Sequence, residues 1–188
     1  MVEGHLGKLR IEKTKIEGCY KITPNVIEDD RGYFVKNFNY DFFISKDLKT
    51  NFVEDYFSQS KKGVIRGMHF QLPPYDHEKL VICISGEILD VVLDIRKDSS
   101  TYGKYETFNI NSESFEMIFL SKGLAHGFYT KSDNALVYYK VTSTYEPHSD
   151  SGIKWNSFGM KWPSDTPLIS SRDNSFEDFN NFVSPFVI

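Results

Sequence analysis

The chain is predicted to be all-β, a sandwich or barrel of short antiparallel strands, on three observations. Between residues 63 and 142 a series of β-rich runs follow one another: 63–71, 79–85, 87–95, 104–110, 115–120, 126–130 and 135–142. Turn chemistry separates them, at Pro73-Pro74, Ser85-Gly86, Asp98-Ser99-Ser100, Asn111-Ser112, Lys122-Gly123 and Ser132-Asp133-Asn134. Aromatic residues make up 15% of the chain, with 16 Phe and 11 Tyr, a bias that suits pleated surfaces better than helices.

The flanking elements follow in order. Residues 1–9 are polar and contain Gly4 and Gly7, so they are expected to be a disordered start or an expression remnant. From Leu9 to Ile16 the pattern LRIEKTKI alternates imperfectly, as an edge strand does. The segment GCYKITPNVIEDDRGYFVKNF holds two short strands around Pro24 and a turn at Asp29-Asp30-Arg31-Gly32. Residues 40–49 form the best short-helix candidate before the core, with Phe42, Phe43 and Leu48 facing inward. A strand is expected from Phe52 to Phe57 and a polar turn from Ser58 to Gly63. After the central strands, Pro-containing loops run from Glu146 to Pro167, and a short helix is expected near Phe176 to Phe182. With 188 residues and no internal repeat, charge block or linker, the chain reads as one domain, 1–188.

Composition narrows the function classes. A net charge of −4 gives no bulk attraction to nucleic acid or acidic membranes, so an anionic substrate has to be held by a local cluster of cations. Two cysteines, Cys19 and Cys83, do not make a disulfide framework, which points to a reducing cytoplasm. The start carries Glu3, His5, Lys8 and Arg10 with no apolar stretch, so no signal peptide is expected. No apolar run reaches membrane-spanning length.

Residues able to do chemistry concentrate around GVIRGMHFQ, 63–71, which holds Arg66, Gly67, His69 and Gln71 on one strand. An isolated strand histidine is most often a hydrogen-bonded core residue; here Lys79, His126, Tyr139 and Asp173 each occur in a setting that fits a partner. Arg66 and His69 are three apart, so strict alternation sends them to opposite faces. A shared pocket therefore requires a bulge or bend in the strand, and Gly67 is where it could form. Lys79 shares a face with Val81, Cys83 and Ser85, and is either a snorkelling edge lysine or a cation aimed at an oxyanion inside a barrel. His126 in KGLAHGF either bonds a nearby turn or enters a pocket. Tyr138 and Tyr139 are neighbours, so only one faces inward. Asp173 follows Ser170-Ser171-Arg172, where most carboxylates are merely solvated. A tight metal site on a strand wants His at i and i+2, and Gln71 breaks that pair; His77 beside Glu78 leaves only a remnant, so no metal is expected. Neither a Ser or Cys nucleophile motif nor a phosphate-cradling glycine loop is found.

These residues fall within DDRGYF (29–34), SQSKKGVIRGMHFQ (58–71), EKLVICISGEILDVVLDIRKDSSTYGKY (78–105), SKGLAHGF (121–128), YKVTSTYEP (139–147) and SRD (171–173). In that order, from about Leu9 to Asp173, they resemble the dTDP-4-dehydrorhamnose 3,5-epimerase family, metal-free cupins that use no cofactor. The resemblance implies a double-stranded β-helix (cupin jelly-roll) barrel, a homodimer formed partly by exchange of N-terminal strands, and a nucleotide-diphosphate 4-keto sugar as substrate. It implies His69 as the base, oriented by Asp173, with Tyr139 as the proton donor on the opposite face and Lys79 as the enolate-stabilising cation. His126 and Gln71 would line the sugar pocket, Arg66 and Arg31 would bind pyrophosphate, and Phe34 and Tyr145 would border the base. The 31–36 segment would reach a neighbouring subunit's site.

Three departures stand out from that pattern. Glu54-Asp55-Tyr56 replaces Q-D-N in a region expected to touch nucleotide, which leaves base identity open and makes Glu54 a candidate contact. Lys36 replaces an acid in the R-G-x-F-x-E motif, and Ser121 replaces a proline before Lys122-Gly123. Within the enzyme class, alternatives are an epimerase for C3 or C5 alone, one for another nucleotide sugar, or a 3,4-ketoisomerase, against which Gln71 argues. Outside it stands a non-catalytic sugar-nucleotide-binding cupin.

Overall fold

The computed structural model describes residues 9–48 and 50–188. Strands β1 (Arg10–Lys13) and β2 (Cys19–Thr23) lead into a hairpin of β3 (Val26–Asp29) and β4 (Gly32–Val35), followed by the short helix α1 (Tyr40–Ile44). Then come β5 (Glu54–Lys61), β6 (Ile65–Gln71), β7 (Lys79–Ser85), β8 (Glu87–Asp94), β9 (Tyr105–Asn111) and β10 (Met117–Leu120). The chain closes with β11 (Leu124–Thr130), β12 (Asn134–Val141), β13 (Asp150–Gly152) and a helix of one turn, α2 (Ser171–Asn174). All pairings between these strands are antiparallel.

Two sheets face each other. One has the order β1-β2-β10-β7-β12-β5 and the other β13-β6-β11-β8-β9, which is the expected jelly roll. Both faces of the central strands are apolar because each sheet is covered on both sides. In β7, Val81 and Cys83 point into the space between the sheets, while Leu80 and Ile82 point outward onto Phe43 and Leu48 from the α1 region. In β8, Ile88 and Val92 face the interior, and Val91 and Leu93 pack outward on Trp155, Phe158 and Phe186 of the C-terminal segment. This double cover accounts for near-continuous runs such as LVICI in place of apolar–polar alternation.

The early elements fall where the sequence puts them. β1 lies at a sheet edge, and the Asp29–Gly32 turn closes the β3–β4 hairpin. Asn39 caps α1 through its side chain, which accepts from the Phe42 amide. The helix is shorter than expected: Phe43 and Leu48 are buried, Phe42 only partly, and Lys49 lies outside the described residues. Residues 1–8, assigned to a disordered start, also lie outside them, but Leu9 is buried, which corrects that boundary.

Two expectations are overturned. The polar turn expected over 58–63 is confined to its end, because β5 runs on to Lys61 and pairs Ser58 with Val137 and Ser60 with Ala135. Both serines have partners for their hydroxyls, Tyr139 and Arg66, so polarity here marks an inward-facing site and not a loop. The expected helix at Phe176–Phe182 is absent, and the helical turn lies upstream at Ser171–Asn174, where the Ser170 hydroxyl accepts from the Asp173 amide. Phe179 and Phe182 instead pack against Tyr102 and Phe70. Among the described residues no helix is long and apolar enough to cross a membrane.

Phe119 on β10 is 1% exposed and meets Phe43 edge-on at 6.3 Å. Phe119→Ala should lower unfolding free energy by about 3–5 kcal/mol, read as a lower denaturant midpoint at unchanged slope.

Candidate active site

The interior opens at one end into a cavity of about 630 Å³. β6 contributes Arg66, His69 and Gln71 to its wall, β7 Lys79, β11 His126, and β12 Tyr139. The expected irregularity is at Gly67. The register between β6 and β11 shifts between His126 and Phe128, and Gly67 has φ +135°, a conformation that side chains rarely adopt. A Cβ on Gly67 would lie 2.5 Å from the Gly127 Cα. This break brings Arg66 and His69, opposite in strict alternation, to one cavity.

His69 is tied to Asp173 of α2, with Nε2 2.9 Å from Oδ1. The other carboxylate oxygen, Oδ2, accepts from the Gly67 amide at 3.0 Å, so the acid also braces the bulge. Asp173 is 4% exposed and not solvated. Burial raises its pKa, but the hydrogen bonds from His69 and Gly67 outweigh that and hold it below the usual carboxylate value. For His69, burial outweighs the pull of Asp173, and Lys79 and Arg172 push in the same direction as burial, so the imidazole titrates below its ordinary value and is neutral at pH 7.

Lys79 and Tyr139 come from the facing sheet. β7 lies between β10 and β12, so Lys79 is no edge residue; it is 7% exposed and points into the cavity. Burial pushes its pKa down to about 8, against the upward pull of Asp90 and Asp150. Tyr139 is the inward one of the tyrosine pair, with its hydroxyl 3.2 Å from Ser58 Oγ. Burial lifts this phenol well above its ordinary pKa, so it stays protonated. His126 sits opposite His69 in the β6–β11 register and meets the Tyr139 ring edge-on at 6.1 Å. Its Nε2 is 2.6 Å from Oδ2 of the fully buried Asp90, a second imidazole–carboxylate pair on the same wall.

The mouth is lined by Glu54, Tyr56, Tyr145, Asp150 and Arg172. Glu54 accepts from the Tyr145 amide at 2.9 Å, and the Tyr145 hydroxyl donates to Asp150 at 3.3 Å. Arg172 bridges Asp150 at 2.5 Å and Asp173 at 3.2 Å, with its guanidinium over the Phe176 ring. Arg66 donates to Ser60 Oγ and to the Gln59 carbonyl. Gln71 lines the cavity, but its amide is engaged by the Tyr75 and Thr144 carbonyls and the Glu146 amide, so it braces the surrounding loops.

Two expected site residues are elsewhere. Arg31 and Phe34 sit on the β3–β4 hairpin and do not line the cavity of their own chain. Arg31 forks onto Asp29 and is 89% exposed; Phe34 is 57% exposed. Conversely, Ser58, Asp150 and Arg172 belong to the cavity without having been singled out, and so do Tyr56, noted only within the Glu54-Asp55-Tyr56 departure, and His77, noted only beside Glu78. Alternation from Glu54 through Tyr56 to Ser58 could have placed two of them. Arg172, beside Asp173, carried no signal apart from that adjacency. His77 lines the cavity, whereas Glu78 accepts from the Thr142 hydroxyl, so the adjacent pair does not act as one ligand set. Burial and the nearby Lys79 push the His77 pKa down to about 3. Among the described residues no three His, Cys, Asp or Glu side chains gather in a metal-ligating group.

A neutral imidazole backed by a carboxylate, a partly desolvated ammonium and a protonated phenol can remove a proton, hold developing negative charge and return a proton. Residues 13–181 match the family model described as dTDP-4-dehydrorhamnose 3,5-epimerase. A protein of that name from Shigella flexneri is 39% identical over 93% of this chain and 100% of its own length. Another from Methanothermobacter thermautotrophicus is 40% identical over 92% of this chain and 95% of its own. The crystal structure of a dTDP-6-deoxy-D-glucose-3,5-epimerase from Legionella pneumophila, in complex with dTDP-4-keto-L-rhamnose, superposes with a TM-score of 0.89 at 32% identity, covering 94% of this chain and 95% of that one. On this match of sequence and fold along nearly its whole length, the chain belongs to the dTDP-4-dehydrorhamnose 3,5-epimerase family.

Proposed function

We propose that this protein inverts C3 and C5 of a dTDP-4-keto-6-deoxyhexose, in the cytoplasm and without a metal or cofactor. The observation that carries the reading is the origin of the reacting groups on opposite sheets: His69 on β6, Tyr139 and Lys79 on β12 and β7. A ketone at C4 acidifies the C–H bonds at C3 and C5, because the electron pair left behind delocalises onto the carbonyl oxygen. His69 takes the proton on one face, and Asp173 stabilises the imidazolium that results. The Lys79 ammonium offsets the enolate charge. Tyr139 then gives its phenolic proton to the same carbon from the other face, and exchange with water restores both groups. Substrate anchoring falls to Arg66 and Arg172, which suit the diphosphate, and to Glu54 and Tyr145 at the mouth.

Arg31 and Phe34 serve the site of a second copy. The hairpin exposes the cross-strand pair Ile27 and Phe34 on one face and Val26 and Tyr33 on the other, apolar surface that suits contact with a partner. Two copies exchanging these hairpins complete each other's nucleotide site.

In heavy water the wild type should take up deuterium at both C3 and C5 of the substrate, followed separately by NMR; uptake at one carbon only would make it a single-site epimerase. His69→Ala should abolish uptake at both. Tyr139→Phe should keep exchange and lose inversion, and equal loss of the two would overturn this division of roles.

The pH dependence of kcat/KM should follow the two shifted groups. His69 acts as the neutral base, so activity rises as pH passes upward through its lowered pKa, below the ordinary 6.5. Lys79 acts as the cation, so activity falls as pH passes about 8, and Lys79→Arg should carry that limb upward.

Arg31→Ala and His69→Ala should each be nearly inactive alone. Co-expressed, they should recover about a quarter of wild-type activity, since half the dimers are mixed and each has one intact site. A mixture no more active than its parents would place the hairpin outside the neighbour's site.

A further inference from the structure

Tyr139 is held by three neighbours, Tyr56, Ser58 and His126, of which Tyr56 also lines the cavity mouth. Tyr56 is its direct cross-strand partner in the β5–β12 register, and period-2 alternation turns Glu54, Tyr56 and Ser58 to the cavity side. The Tyr56 and Tyr139 rings stack with centroids 4.9 Å apart and planes 26° from parallel. Ser58 fixes the Tyr139 hydroxyl, and His126 abuts the ring edge-on. The ring face is the direction in which a tyrosine swings about χ1 or turns about χ2, and Tyr56 covers it. Among the described residues the Tyr56 hydroxyl makes no hydrogen bond to another side chain or to the backbone, so the contact is made by the ring.

We propose that Tyr56 is a positioning residue for proton delivery: its stacked ring holds the Tyr139 phenol in the orientation from which the proton reaches the sugar carbon. The proposal rests on the epimerase reading above. The enolate has two fates there. It regains a proton from His69 on the original face, giving exchange without inversion, or takes one from Tyr139 on the other, giving inversion. Misplacing the donor slows the second fate alone, so the ratio of exchange to inversion reports donor position.

Two variants separate ring from hydroxyl. Tyr56→Ala removes the stack and should raise the ratio of exchange to inversion on the order of 10–100-fold, a ratio that any accompanying change in KM at the cavity mouth leaves untouched. Tyr56→Phe keeps the stack and should restore the wild-type ratio. A parallel fall of exchange and inversion in Tyr56→Ala, a change in KM alone, or equal loss in Tyr56→Phe each overturns the proposal.

A second arm needs no substrate. With ring-labelled tyrosine, the Tyr139 signal is identified by its loss in Tyr139→Phe, and its ring-flip rate is read by NMR. That rate should rise at least about tenfold in Tyr56→Ala and not in Tyr56→Phe. An unchanged rate in Tyr56→Ala sinks the positioning role whatever the chemistry. A wild type that exchanges neither carbon but shows the ring-flip difference sinks the epimerase reading and leaves Tyr56 as the clamp on Tyr139.

Discussion

The close approach of two glycine backbones, Gly67 on β6 and Gly127 on β11, is the constraint on which the site depends. A Cβ on Gly127 would lie 3.1 Å from the Gly67 Cα and 2.7 Å from the Met68 sulfur, so neither position has room for a side chain. The resulting shift in register turns Arg66 and His69 to one cavity and frees the Gly67 amide for Asp173. One carboxylate thereby satisfies a backbone donor at the bulge and fixes the imidazole beside it. Local backbone irregularity and catalytic geometry are a single feature here.

The cavity also solves an electrostatic problem. Asp90, Asp173 and Lys79 are nearly or fully buried, and isolated buried charges are costly. Each lies within reach of a compensating group: Asp90 beside His126, Asp173 beside His69 and Arg172, and Lys79 under the influence of Asp90 and Asp150. Compensation is incomplete by design of the neighbourhood. Among the described residues Asp90 Oδ1 has no hydrogen-bond partner, and burial pushes the Lys79 pKa down to about 8. Groups left in that state respond strongly to charge that appears next to them, as an enolate oxygen would.

Much of this was legible beforehand because the relevant signals are local. Strands and turns were readable from β-branched runs and Gly/Pro punctuation, and Gly67 was readable as a place where a bulge could reconcile Arg66 with His69. What misled was polarity. Ser58 and Ser60 look like a loop and are strand, because their hydroxyls bond partners 81 and 6 residues away. Phe176 to Phe182 looks like a helix face and is instead a bend, a single β-bridge at Glu177 and a turn, with its rings filling gaps around Phe70 and Tyr102.

The sequence by itself determined the chemical inventory and the alternation within each strand, since backbone geometry sends successive side chains to opposite faces whatever surrounds them. Only the tertiary structure decided what stands across from each face. It put Arg172 against Asp150, Tyr56 against Tyr139, and Arg31 outside the lining of its own chain's cavity. The tyrosine pair depends on register between strands distant in the chain, and the other two on where α2 and the β3–β4 hairpin dock; both follow from the joint packing of the sheets, which no local pattern encodes.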